Sequence, residues 1–133
     1  MFAYFRISES SPNMPNLIAA VLGVYEQISS HFKAGDYDYE CNCHDCPDPG
    51  TDLGCISIGE GPVIVCIANQ RGGAETLAEA FVHELSHRFA GSDDFSYCKS
   101  GPGCAELTPD KAIGNATSYN LFAADAWLHK MGA

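Results

Sequence analysis

Five consecutive residues, His83-Glu84-Leu85-Ser86-His87, constrain this chain more than anything else in it. Two imidazoles four residues apart share a face when the backbone is helical, because an α-helix turns about 100° per residue. The surrounding pattern agrees. Leu77, Phe81, Leu85 and Phe89 recur every four residues, with Gln70-Arg71-Gly72-Gly73 before the run and Gly91 after it, so a helix is predicted over residues 74–90. On that helix the histidines lie roughly 200° away from Phe81. One face is then committed to a core, and the other directs both imidazoles into a cleft. A surface helix with two solvated histidines would leave the apolar stripe opposite them without a purpose.

Imidazoles one helical turn apart can bind a single Zn²⁺. Glu84 follows the first of them and would sit beside the metal rather than on it. There a carboxylate accepts the proton of a metal-activated water and later passes it to a leaving amine, which is the chemistry of peptide-bond hydrolysis. A catalytic zinc needs a third protein ligand. Three carboxylates are available in sequence. Asp93 stands at the third-histidine position of an HExxHxxGxxH spacing, although Ala90 replaces its glycine. Glu106 lies in a Cys- and Pro-flanked stretch, and Asp94 lies inside Gly91-Ser92-Asp93-Asp94-Phe95-Ser96-Tyr97.

Elsewhere, Leu17, Val21, Val24, Tyr25, Ile28 and Phe32 predict an amphipathic helix over residues 16–32. The apolar runs 55–58 and 63–67 flank Gly59-Glu60-Gly61-Pro62 and predict a hairpin. The chain reads as irregular from Gly91 through Pro109. A last helix follows over residues 115–129, with Tyr119, Phe122, Ala123, Ala126 and Trp127 facing inward. His31 and His129 read as surface residues. At 133 residues and 46% apolar content the chain fits one α+β domain. Its parts are a helical N-terminal segment (1–40), a Cys-rich loop with strands (41–73), the active-site helix (74–90), and a ligand loop with a C-terminal helix (91–133).

The formal charge of −10 argues against nucleic acid as a partner, and no segment is long enough to span a bilayer. Seven cysteines with no compact four-Cys zinc module read as disulfides in an oxidising compartment, with one thiol left over. A second metal site on Cys41, Cys43, His44 and Cys46 is disfavoured, because no partner Cys-x-x-Cys accompanies it. Met1-Phe2-Ala3-Tyr4-Phe5-Arg6 does not read as a signal peptide. The expectation is a secreted or exported protein, made from a longer precursor or exported by a route that needs no such signal.

The stretch from Gly91 to Tyr97 resembles the segment that follows HExxH in the aspzincins, the family of deuterolysin and the peptidyl-Lys metalloendopeptidases. Tyr39-Glu40-Cys41-Asn42-Cys43, Val63-Ile64-Val65-Cys66 and Asn115-Ala116-Thr117-Ser118-Tyr119-Asn120 are similar to three more of the family's segments, so the likeness covers residues 39–125. It implies a compact zincin-like domain with one Zn²⁺ on His83, His87 and Asp94. It also implies Glu84 as base and then acid, and Tyr97 as the donor to the oxyanion. Asp93 stays a rival to Asp94 on spacing alone. Ser92 stands for the family's usual Thr, and Cys98 for its usual Gly. Disulfides Cys43–Cys66 and Cys98–Cys104 are implied too, leaving Cys41, Cys46 and Cys55 for one more bridge. In Lys-specific members an acidic pair in the late segment holds the substrate lysine. Thr117 and Asn120 stand there, so lysine preference is not expected. The expected partner is a protein or peptide substrate of a monomeric enzyme. A toxin or effector role would add an inhibitor or immunity protein. The competing reading is a disulfide-rich binding or effector module with a structural zinc and no turnover.

Overall fold

The computed structural model describes residues 2–56, 61–98, 104–130 and 132. Five helices and three short strands follow in the order α1 (Phe2–Phe5), α2 (Met14–Ala34), β1 (Tyr39–Glu40), β2 (Gly54–Ile56), β3 (Val63–Val65), α3 (Ala74–Ala90), α4 (Pro109–Ile113) and α5 (Ala116–Lys130). The architecture is mixed α and β, as expected. Among the described residues no helix is long and apolar enough to cross a membrane.

α2 outruns its predicted range at both ends for local reasons. Pro15 occupies the first turn, where a missing N–H costs nothing. Gly35 takes φ 61° and returns its N–H to the His31 carbonyl at 2.9 Å, closing the helix. β3 is the middle strand of the sheet. It pairs antiparallel with β2 (Cys55 opposite Ile64) and parallel with β1 (Tyr39 opposite Val63). The predicted hairpin pairing is therefore present, although residues 57–60 lie outside the described part. β1 has only two exposed residues, too few to show alternation in sequence.

Two apolar clusters meet at α3. Ile28, Val63, Val65, Ala80 and Leu85 form one, flanked by Leu77, Phe81 and Phe89 from the predicted stripe. Phe5, Ile7, Val21 and Tyr119 form the other, with Tyr25 and Phe122 against it. The rings of Phe5 and Tyr25 stand 4.9 and 5.4 Å from that of Tyr119. The Tyr119 and Tyr25 hydroxyls each find a backbone carbonyl at 2.6 Å. Each fully buried aromatic or aliphatic side chain contributes roughly 1.5–3 kcal/mol, so these clusters fix α3 against α2, α5 and the sheet.

Three expectations change, and the bridge left open is completed. Phe32 is 58% exposed and Trp127 51%, because α2 and α5 extend past the body they pack on; Ala126 is exposed with it. His31 is half-buried, stacked 3.7 Å over Phe89 and paired with Asp36. Pro109 begins a helix rather than ending an irregular stretch: Thr108 caps α4 by accepting from the Lys111 N–H. The last bridge is Cys46–Cys55, beside Cys43–Cys66 and Cys98–Cys104, which leaves Cys41 free and exposed. With Cys43 and Cys46 both disulfide-bonded, no second metal site can form there.

Candidate active site

His83, Glu84 and His87 of α3 line the cleft, and the end of the helix is tied down immediately after them. The Ser86 hydroxyl bonds the His83 carbonyl and the Ser92 hydroxyl, both at 2.7 Å. Gly91, at φ 63°, reverses the chain there, a conformation that side chains resist. The reversal brings the Ser92 carbonyl to 2.8 Å from His87 Nδ1. A carbonyl only accepts, so Nδ1 carries a proton and Nε2 is the nitrogen turned to the cleft.

The chain then runs alongside the start of α5. Asp93 N–H donates to the Gly114 carbonyl at 2.7 Å, and Ala116 N–H donates to the Asp93 carbonyl at 3.0 Å. Asn115, 0% exposed, grips the next segment with both ends of its amide. Its Oδ1 accepts from Ser96 N–H and its Nδ2 donates to the Ser96 carbonyl, each at 3.0 Å. Asp94 lies between these two ties. The Asp93 carboxylate folds back and accepts from the Asp94 N–H at 2.8 Å, and Glu106 accepts from the Ser96 hydroxyl. Neither of those rival carboxylates joins the histidines.

Among the described residues, one group of donor atoms is placed to share a cation: His83, His87 and Asp94. Asp94 Oδ1 stands 3.1 Å from His83 Nε2 and 3.3 Å from His87 Nε2, and the two nitrogens are 3.2 Å apart. Tetrahedral zinc with bonds of about 2.0–2.1 Å separates its ligand atoms by about 3.3 Å, so this triangle fits that ion. Hydrogen bonds from both histidines hold the Asp94 carboxyl far below the usual carboxylate range. Burial pulls the His87 pKa down, but bonding to Asp94 and to the Ser92 carbonyl outweighs it and raises the pKa to about 8.

Glu84 is only 5% exposed, and burial pushes its pKa up to about 7 against the opposing pull of the two histidines. It lies under β2, where sequence reasoning had placed nothing. A Cβ on Gly54 would come within 2.7 Å of Glu84 Oε1 and 2.9 Å of both its Cγ and the Ile64 carbonyl. Only glycine leaves the carboxyl room. Tyr97 is 60% exposed, and its hydroxyl donates to Asp94 Oδ2 at 3.2 Å. These groups line a cleft of about 850 Å³ between β2 with its preceding loop and the helices α3 and α5.

A family model described as lysine-specific metallo-endopeptidase, that of the aspzincins, matches residues 2–124. The chain belongs to the aspzincin family. The match reaches further than the likeness read from motifs, taking in the N-terminal helices whose core packing leaves no short signature. No curated protein and no solved structure matches significantly. As an aspzincin the chain is of a metallo-endopeptidase class, acting on peptide bonds with the help of a metal. Sequence motifs pointed to the residues nearest the metal position. Gly54 and the contacts of Asn115 and the Ser92 carbonyl went unseen, because each joins segments that are apart in sequence.

Proposed function

We propose that this aspzincin is a secreted zinc endopeptidase with a zincin-like domain, in which His83, His87 and Asp94 hold the ion. The observation that carries this reading is the ligand triangle, whose 3.1–3.3 Å sides suit one tetrahedral zinc. Zinc at such a site supplies a water acidic enough to lose its proton near neutral pH and polarises the scissile carbonyl.

Glu84 takes that proton. Its burial shields that transfer from bulk water, and the protonated carboxyl then stands in the cleft to return the proton to the leaving amine. Tyr97 turns its hydroxyl from Asp94 towards the oxygen where negative charge develops. The Ser92 carbonyl commits Nδ1 of His87 as a donor and so turns Nε2 towards Asp94 and the cation position. An extended polypeptide lies along the cleft. The neutral Thr117 and Asn120 in its wall support no lysine preference.

Hydrolysis of unfolded casein by the zinc-loaded protein, beside Glu84→Ala, tests this reading. Turnover that a chelator abolishes and that Glu84→Ala lacks while retaining its zinc is the expected result. Zinc bound by both proteins with turnover by neither would instead favour a binding module with a structural ion.

A further inference from the structure

The two histidines are held in different ways. His87 has a backbone carbonyl behind it, which can present nothing but an acceptor. Behind His83 there is a side-chain amide, that of Asn120 on α5, at 3.3 Å from Nδ1. An amide can present either face, and the choice decides which nitrogen of His83 carries its proton.

With Oδ1 towards His83, Nδ1 must donate, which makes Nε2, the nitrogen facing Asp94 and His87, the one a metal can take. The Asn120 Nδ2 group then donates to Glu79 Oε2 at 3.4 Å. Turned over, Nδ2 donates to the Thr117 carbonyl at 3.2 Å and to His83 Nδ1 at 3.3 Å, while Oδ1 accepts from Leu121 N–H at 3.2 Å. That second arrangement serves α5 but puts the imidazole proton on Nε2, where a metal must bind. The helix therefore favours the face that disables the site. Glu79, one turn before His83 on α3, is the group that rewards the other face.

We infer that Glu79 and Asn120 form a relay that fixes the tautomer of His83 and so sets the metal affinity of the site; this rests on the zinc reading above. Asn120 is a positioning residue acting on the protein's own histidine, rather than a contact for the substrate. Partners behind a metal-bound histidine typically govern 10–100-fold in metal affinity. Here the partner is an amide whose orientation a carboxylate must hold, and the relay couples the two helices that form one wall of the cleft.

Zinc affinity, measured on the full chain by competition with a chromophoric chelator, tests the relay without reference to turnover. Asn120→Leu should bind zinc about 10–100-fold more weakly than wild type, with Glu79→Gln affected in the same direction. The double variant Glu79→Gln/Asn120→Asp keeps an acceptor for His83 and a donor behind it, and should recover most of the loss. Unchanged zinc affinity in Asn120→Leu with an altered KM would overturn the relay and make Asn120 a substrate contact. A wild-type chain that bound no zinc would remove the site itself, a result distinct from failure of the relay alone.

Discussion

The two walls of the cleft are built on different principles. The metal wall, from α3 through Asp94 to the start of α5, is held by hydrogen bonds between buried polar groups, with Asn115, Ser86 and Ser118 all fully enclosed. The opposite wall, β2 and its preceding loop, has three-residue strands and a small cluster of Cys43, Cys46, Ile64 and Cys66. Two disulfides replace the ladder and core it lacks. Hydrogen bonds fix direction, which a ligand triangle needs. Disulfides fix proximity, which is enough for a wall whose task is to cover Glu84. The metal wall should therefore decide zinc affinity, and the sheet wall should decide how well bound zinc is used.

The largest effect expected concerns the covalent wall. Loops closed by 23 and 9 residues of separation correspond to about 3 kcal/mol of stabilisation per bridge. Replacing Cys43–Cys66 and Cys46–Cys55 by alanine pairs should lower the urea midpoint accordingly while zinc stays bound. Simultaneous loss of zinc would mean that the walls are not independent. The second effect is one of pH. Because burial raises the Glu84 pKa from 4.5 to about 7 in the metal-free fold, stability is complete below about pH 4.5 and is lost as pH rises through 7. Glu84→Gln should remove that loss, standing up to about 3 kcal/mol above metal-free wild type at pH 8 and level with it in acid.

Gly54→Ala should lower kcat about 10²-fold, since a displaced base loses its reach, yet leave zinc affinity as it was. Asn115→Ala should do the converse. Freeing both Ser96 backbone groups should cost about 1–3 kcal/mol of stability and weaken zinc binding, read by thermal unfolding and by metal titration. If Gly54→Ala also released zinc, the division between the walls would fail.

The contrast also explains what could be read from residues alone. His83, Glu84, His87, Asp94 and Tyr97 lie within fifteen residues, and helical phase plus one short loop relates them. α3 was legible to its last residue because an apolar stripe and two glycine-marked ends agree. Gly54 was not, since a glycine under a carboxylate looks in sequence like any turn residue until Ile64 and Glu84 are folded onto it. Asn120 was read against the substrate, because nothing in its own segment reveals that His83, on another helix, faces it. β1 and α4 were missed for the simpler reason that two and five residues carry almost no periodicity.

All three proposed ligands come from the twelve residues between His83 and Asp94, whereas the cover over Glu84 arrives from Gly54, thirty residues earlier. A loop so short costs little chain entropy to close, so these three residues need only the Gly91 reversal and the Asn115 grip to meet. The cover over Glu84 depends instead on the sheet and its disulfides. A chain whose disulfides have yet to form should therefore bring its proposed ligands together while Glu84 is still open to solvent.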